Sequence, residues 1–139
     1  MTVFVRGAIV LVGAGGLAIA GGAMACGSDT PTPKRTVESP RYVVAWQTLP
    51  APPVVGEHFV VDMVVCPKPG AKRPSSVRID AQMPDHRHGM NYRPSVTAAG
   101  GDRYRAQGLM FHMPGRWVIE IELSDGVVTD RFPTEMVVK

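Results

Sequence analysis

The chain has 139 residues, of which 45% are hydrophobic and 19% are charged, and its formal net charge is +3. This length suits one ordinary domain with a short extension. The basic residues are scattered and are not interleaved with aromatic ones, so nucleic acid is not expected as a partner.

The first 25 residues have the composition of an export signal. Arg6 precedes an uncharged stretch, residues 7–25, which ends in small residues. A membrane-spanning helix needs about 20 apolar residues, so the length is borderline, and the six glycines in this stretch weaken the case for a permanent span. We predict a signal peptide over residues 1–25, with an uncleaved membrane anchor as the alternative.

The end of this segment, AMAC (23–26), resembles the lipobox of bacterial lipoproteins, although Ala23 stands where that pattern has leucine. The sequence therefore predicts lipidation of Cys26, which would tether the exported protein to a membrane of the cell envelope. Firm tethering takes more than one acyl chain. The alternative is an ordinary signal peptidase cut after Ala25, which leaves Cys26 unmodified.

Cys66 is the second of the two cysteines, and its role depends on the fate of Cys26. If Cys26 carries a lipid, the two cannot form a disulfide. We interpret Cys66 as a small apolar strand residue. A thiolate ligand for copper and a disulfide to Cys26 or to another chain are the alternatives.

Residues 26–40 are dominated by Pro, Ser, Thr and charged residues, and we predict a flexible tether there. From residue 41 the pattern changes to short runs in which apolar and polar residues alternate, separated by connectors rich in Pro and Gly. The predicted strands are 41–49, 57–66, 76–83, 94–98, 102–111, 116–123 and 127–138. Gly108 is expected to mark a bulge. Seven such strands predict an all-β domain over residues 41–139, an Ig-like antiparallel β-sandwich.

The order of these strands predicts that all four histidines lie at one end of the sandwich. Each strand crosses the sandwich once, so alternate connectors emerge at the same end. By this parity the connectors 50–56, 84–93 and 112–115 share one end. They carry His86, His88 and His112 and adjoin His58 at the start of the second strand.

The residue types at that end favour copper over other metals. Imidazole binds copper and zinc, whereas thioether sulfur selects Cu(I), and zinc sites seldom use methionine. The predicted ligands of Cu(I) or Cu(II) are His86, His88, Met90, His112 and Met113. His86 and His88 are two residues apart and project to the same side of an extended segment, after which Gly89 lets the chain bend. A solvated polar loop without metal is the alternative for this segment.

Three stretches carry a resemblance to a known family: MPDHRHGM (83–90), GDRY (101–104) and LMFHMPGRW (109–117). Together they resemble the YtkA-like domains, which are small Ig-like β-sandwiches related to the FixH proteins linked with cytochrome oxidase assembly. The resemblance covers residues 41–138. It implies an exported or lipid-anchored domain suspected of handling copper, in which the Met-Pro-Gly-x-Trp turn is structural.

Two functions follow from the sequence as hypotheses, and a third, catalysis, is the weakest. The first is a copper-binding lipoprotein of the cell envelope, held at the membrane by its N-terminal lipid, with an oxidase or another copper-handling protein as partner. The second is a metal-free interaction module that docks on an envelope protein complex. Catalysis is disfavoured, because no nucleophile is arranged with a base and no nucleotide-binding loop is present in the sequence.

Overall fold

A computed structural model describes residues 26–29 and 34–139. The predicted signal peptide, residues 1–25, lies outside these residues. Within the described part of the chain, no helix is long and apolar enough to cross a membrane.

The described residues form a β-sandwich of nine strands in two antiparallel sheets, so the predicted architecture is confirmed. Two of these strands, Arg35–Glu38 and His88–Gly89, lie outside the seven that the sequence predicts. The strands are β1 (Arg35–Glu38), β2 (Tyr42–Leu49), β3 (His58–Pro67), β4 (Ser76–Met83), β5 (His88–Gly89), β6 (Ser95–Ala98), β7 (Arg103–Met110), β8 (Gly115–Ser124) and β9 (Thr129–Val138). A 3₁₀ turn, Pro84–His86, joins β4 to β5. One sheet has the order β1-β2-β3-β7-β6 and the other β5-β4-β8-β9.

The alternation of apolar residues builds a single core between the sheets. In β3 the residues Phe59, Val61, Met63 and Val65 are buried, and in β8 every second residue from Trp117 to Leu123 is buried. Residues on the opposite face of β8, including Glu120 and Glu122, are half-exposed and meet Arg131 of β9. Register is fixed by this pattern, because a slip of one residue would turn the apolar face to solvent.

The predicted bulge at Gly108 is confirmed. The pairing of β3 with β7 shifts register between Phe59 and Val61, so that Gln107 and Gly108 together face the single residue Val60. Gly108 has φ +85°, in the region that side-chain-bearing residues rarely adopt. The bulge thus accounts for the irregular apolar phase of this strand in the sequence.

The tether prediction is wrong for residues 35–38, which form β1. This short strand pairs antiparallel with β2 along its whole length, and Arg35 lies over the Trp46 ring at 5.8 Å from the centroid. Backbone pairing and this cation–π contact hold a segment whose composition alone indicates no structure.

Cys26 is bonded to Cys66 in a disulfide, and the described residues contain no free cysteine. The interpretation of Cys66 as an unbonded strand residue is therefore wrong, and the disulfide alternative holds. A sulfur in a disulfide cannot carry a thioether-linked lipid, so lipidation of Cys26 and this bond exclude each other in one molecule. Cys66 is at the end of β3 opposite His58, about 26 Å away along the strand.

Asp125 organises the turn between β8 and β9 at the same end as the disulfide. Its Oδ1 accepts the backbone N–H groups of Val127 and Val128 at 2.9 and 2.8 Å, and its Oδ2 pairs with Arg41. The two backbone donors, aided by Arg41, lower the pKa of Asp125 from 3.8 to about 2. The folded state therefore favours the ionised carboxylate.

This lowered pKa predicts an acid-dependent effect of Asp125→Asn. A depressed folded-state pKa contributes stability that is complete above the unfolded pKa of 3.8 and is lost as the pH falls through about 2. We expect the melting temperature of the variant to lie below that of the wild type near neutral pH. The gap should close as the pH falls from about 4 to about 2, when melting is followed by circular dichroism. A gap that stays constant over this range would contradict the assignment.

Candidate metal site at the histidine pole

The predicted convergence of the three connectors is confirmed. The end of the sandwich formed by residues 50–57, 84–94 and 111–114 is called the histidine pole here. The backbone N–H of Gly56 donates to the carbonyl of Phe111 at 2.8 Å, which joins the first connector to the third. The imidazole rings of His88 and His112 lie 5.0 Å apart between centroids, which joins the second connector to the third.

Three of the four histidines form a cluster. The His86 and His88 rings are 5.8 Å apart, and His88 lies between His86 and His112. Two imidazoles that bind one metal through nitrogen at about 2 Å place their centroids about 5 to 6 Å apart, depending on the angle at the ion. The observed spacings fall in that range. His58 lies at the same pole, but its ring packs edge-on against Tyr92, with centroids 5.1 Å apart.

Strand pairing points His88 towards the interior. His88 pairs with Met83, and the backbone N–H of Met90 donates to the carbonyl of Ala81 at 3.1 Å. Met83 and Ala81 are both buried in the core. Since paired residues share a face of a sheet, His88 and Met90 project to the core side at the end of β4.

The local conformation differs from the predicted extended segment. Pro84–His86 is a 3₁₀ turn, and the chain then reverses at Arg87, which has φ 56°. Gly89 is not the bend. It lies in β5, where a Cβ atom would approach the Gln82 side chain to 2.8 Å, so a residue without a side chain fits there. His86 is exposed on the turn, whereas His88 is half-buried in the strand.

His112 follows β7 and is held against the core by Trp117. The two rings meet edge to face at 5.3 Å, and the indole N–H of Trp117 donates to the Met113 carbonyl at 3.1 Å. His88 also meets Trp117 edge to face, at 6.0 Å. Trp117, which the resemblance indicates only as part of a structural turn, thus forms a floor of indole against which the rings of two predicted ligands, His88 and His112, pack.

The hydrogen bonding of the two inner histidines suits metal ligands. The Nδ1 atom of His88 is 3.1 Å from the Gly89 carbonyl, so it carries the proton and leaves the lone pair on Nε2. The Nδ1 atom of His112 is buried and has no hydrogen-bond partner among the described residues. A buried polar atom without a partner is costly, and a cation bound by its lone pair would remove that cost.

The remaining predicted ligands are the thioethers. Met90 and Met113 are partly buried and pack against the core at this pole. Each is close in sequence to a clustered histidine: Met90 is two residues from His88 and Met113 follows His112. Within residues 26–29 and 34–139, no three His, Cys, Asp or Glu side chains are placed to hold a metal by themselves. Imidazole together with thioether sulfur is a donor set that suits copper better than zinc.

Comparisons with known proteins support the β-sandwich fold and give no information on function. A solved structure of a DUF4426 family protein from Pseudomonas aeruginosa PAO1 is similar to this chain with a TM-score of 0.54 at 13% sequence identity. The similarity covers 76% of this chain and 94% of the other. No protein-family model and no curated protein matches the chain. The resemblance to YtkA-like domains therefore rests on the three stretches of sequence.

Proposed function

We propose that this protein binds copper in the cell envelope, through His86, His88, Met90, His112 and Met113 at the histidine pole. The observation that carries the proposal is the meeting of two connectors far apart in sequence, which places the rings of His88 and His112 5.0 Å apart. The unpartnered Nδ1 atom of His112 supports it further. The proposed role is binding rather than catalysis: metal handling or support of oxidase assembly.

The proposed location is supported by the N-terminal sequence and by the disulfide. Arg6 followed by an uncharged stretch is typical of exported proteins, and disulfides persist in oxidising compartments outside the cytosol. Attachment through a lipid on Cys26 remains a prediction, and it requires molecules in which Cys66 is unpaired. An uncleaved N-terminal anchor would attach the protein to the membrane without using that sulfur.

The chemistry at the site follows from its ligands. Copper would supply a soft cation that accepts imidazole and thioether donors together. His88 would offer Nε2 because its Nδ1 donates to the Gly89 carbonyl. Trp117 would keep the rings of His88 and His112 from turning into the core. Partial burial of Met90 and Met113 would shield the sulfur atoms from bulk water.

The test is a titration of the purified protein with Cu(I), and separately with Cu(II), in competition with a chromophoric chelator. We expect one equivalent to bind the wild type and binding to weaken in the double variant His86→Ala, His88→Ala. Unchanged binding in that variant would show that the proposed site is wrong.

A second candidate is a metal-free interaction module, favoured by exposed apolar side chains at the same pole. Leu49, Val54 and Tyr92 are each more than 40% exposed and lie at or beside the first two connectors. Exposed apolar side chains mark protein-interaction sites when they form a contiguous patch. Capture of a partner from detergent extracts that is equally strong with added copper and with a chelator would favour this module over the copper site.

A further inference from the structure

Arg116 connects the two segments that carry the clustered histidines. It is the second residue of β8, four residues after His112, and it reaches the 3₁₀ turn that precedes β5. Its Nη2 donates to Oδ1 of Asp85 at 2.6 Å and its Nε to Oδ2 at 3.2 Å. Its Nη1 donates to Oε1 of Glu135 on β9 at 2.8 Å.

The 3₁₀ turn has little else to hold it in place. It has no side-chain cap at its N-terminus and no buried residue, and β5 beyond it pairs with β4 through two residues only. Asp85 occupies the middle of the turn and is adjacent to His86. Among the described residues, the bidentate contact from Arg116 thus supplies the side-chain hydrogen bonds that join this turn to β8.

The geometry of this contact is more important than its energy. Both side chains are partly exposed, and exposed ion pairs contribute little to stability. A bidentate guanidinium–carboxylate pair nevertheless fixes orientation, because two parallel hydrogen bonds define the plane of both groups.

We propose that Arg116 is a positioning residue, which holds Asp85 and thereby sets the spacing between the His86–His88 segment and His112. The role of Arg116 in copper binding rests on the proposed function, but its role in setting the spacing of the histidine segments does not require metal. Glu135 fixes the other side of the guanidinium, so that Arg116 is held between the 3₁₀ turn and β9.

The decisive variant is Arg116→Gln, because loss of the positive charge and loss of the positioning contact change the copper affinity in opposite directions. On electrostatic grounds alone, removing a positive charge beside a cation site strengthens copper binding. Loss of positioning weakens it, and changes around metal ligands typically cost about 10–100-fold in affinity. We expect about a tenfold loss for Arg116→Gln and a smaller loss for Arg116→Lys, which keeps the charge but not the bidentate geometry.

The matched control is Arg105→Gln. Arg105 makes the same bidentate contact, with Asp62 at 2.7 Å for each hydrogen bond, but on the outer face of the other sheet. We expect this variant to bind copper as the wild type does. Thermal melting of both variants checks that the fold is kept, and Arg116→Lys serves if Arg116→Gln does not fold.

A second readout uses the metal-free protein, so that failure of the positioning role can be distinguished from failure of the proposed copper binding. Nuclear Overhauser contacts between the rings of His88 and His112 should be present in the wild type and in Arg105→Gln, and weakened in Arg116→Gln. Retained contacts, or copper binding that is unchanged or tighter in Arg116→Gln, would overturn the positioning role. If the wild type binds no copper, the proposed function fails and the ring contacts alone decide this inference.

Discussion

The double variant His88→Ala, His112→Ala is expected to bind copper at least about 100-fold more weakly than the wild type. The reason is that both inner imidazoles are lost, whereas changes to outer-shell residues alone cost about 10–100-fold. The rings of these two residues are 5.0 Å apart on the Trp117 floor, so they are the pair most directly placed to share an ion. Competition with a Cu(I) chelator measures the change.

His58→Ala is the control for this variant. His58 lies at the same pole and packs against Tyr92, so its removal tests whether any imidazole near this surface contributes. The fold should survive the double variant, because the Nδ1 atom of His112 has no hydrogen-bond partner among the described residues and the one lost at His88 joins it only to its neighbour Gly89. Equal affinities for the double variant and for His58→Ala would contradict the assignment of His88 and His112.

Removing the disulfide is expected to give the largest loss of stability. The bond joins Cys26 and Cys66 across 40 positions of sequence, and closing a loop of that length restricts the unfolded chain by about 4 kcal/mol. The double variant Cys26→Ser, Cys66→Ser should therefore lose about 3 to 4 kcal/mol in the free energy of unfolding, measured by denaturant titration. A loss well below about 1 kcal/mol would show that the bond is absent from the native protein or contributes little.

The state of these cysteines in the natural protein decides between the disulfide and the lipid. Alkylation under denaturing conditions without a reductant should leave both residues unmodified, and mass spectrometry should find no lipid on Cys26. Alkylated Cys66 together with a lipid-bearing Cys26 would support the lipoprotein hypothesis and contradict the bond.

The strands could be predicted from sequence because their signal is local. Alternation in segments such as 76–83 and 116–123 reports directly which side chains face the core, and the strand order then predicted which connectors meet. β1 gave no such signal: it has four residues, and three of them are exposed. It is held by pairing with β2, and no feature of the β1 sequence predicts that pairing.

The side-chain contacts of the site could be predicted only in part. The order of the strands predicted that His88 and His112 lie at one pole. It gave no information on the packing of both rings against Trp117 or on the Asp85–Arg116 contact. Asp85 and Arg116 are 31 residues apart, and opposite charge alone does not select this pair from the many others in the chain. The disulfide was predicted only as an alternative, because the segment before Cys26 made lipidation the more direct interpretation.

The fluorescence of Trp117 provides the most direct test of the proposal that copper binds at the histidine pole. In a Trp46→Phe background, Trp117 is the remaining tryptophan and it contacts both inner histidines. Phenylalanine keeps an aromatic ring beneath Arg35, and the indole nitrogen of Trp46 has no hydrogen-bond partner among the described residues that would be lost. We predict that added Cu(II) quenches this emission to an end point at one equivalent, and that His88→Ala with His112→Ala removes the effect. Emission that is insensitive to copper, or equally quenched in that variant, would contradict a copper site at this pole.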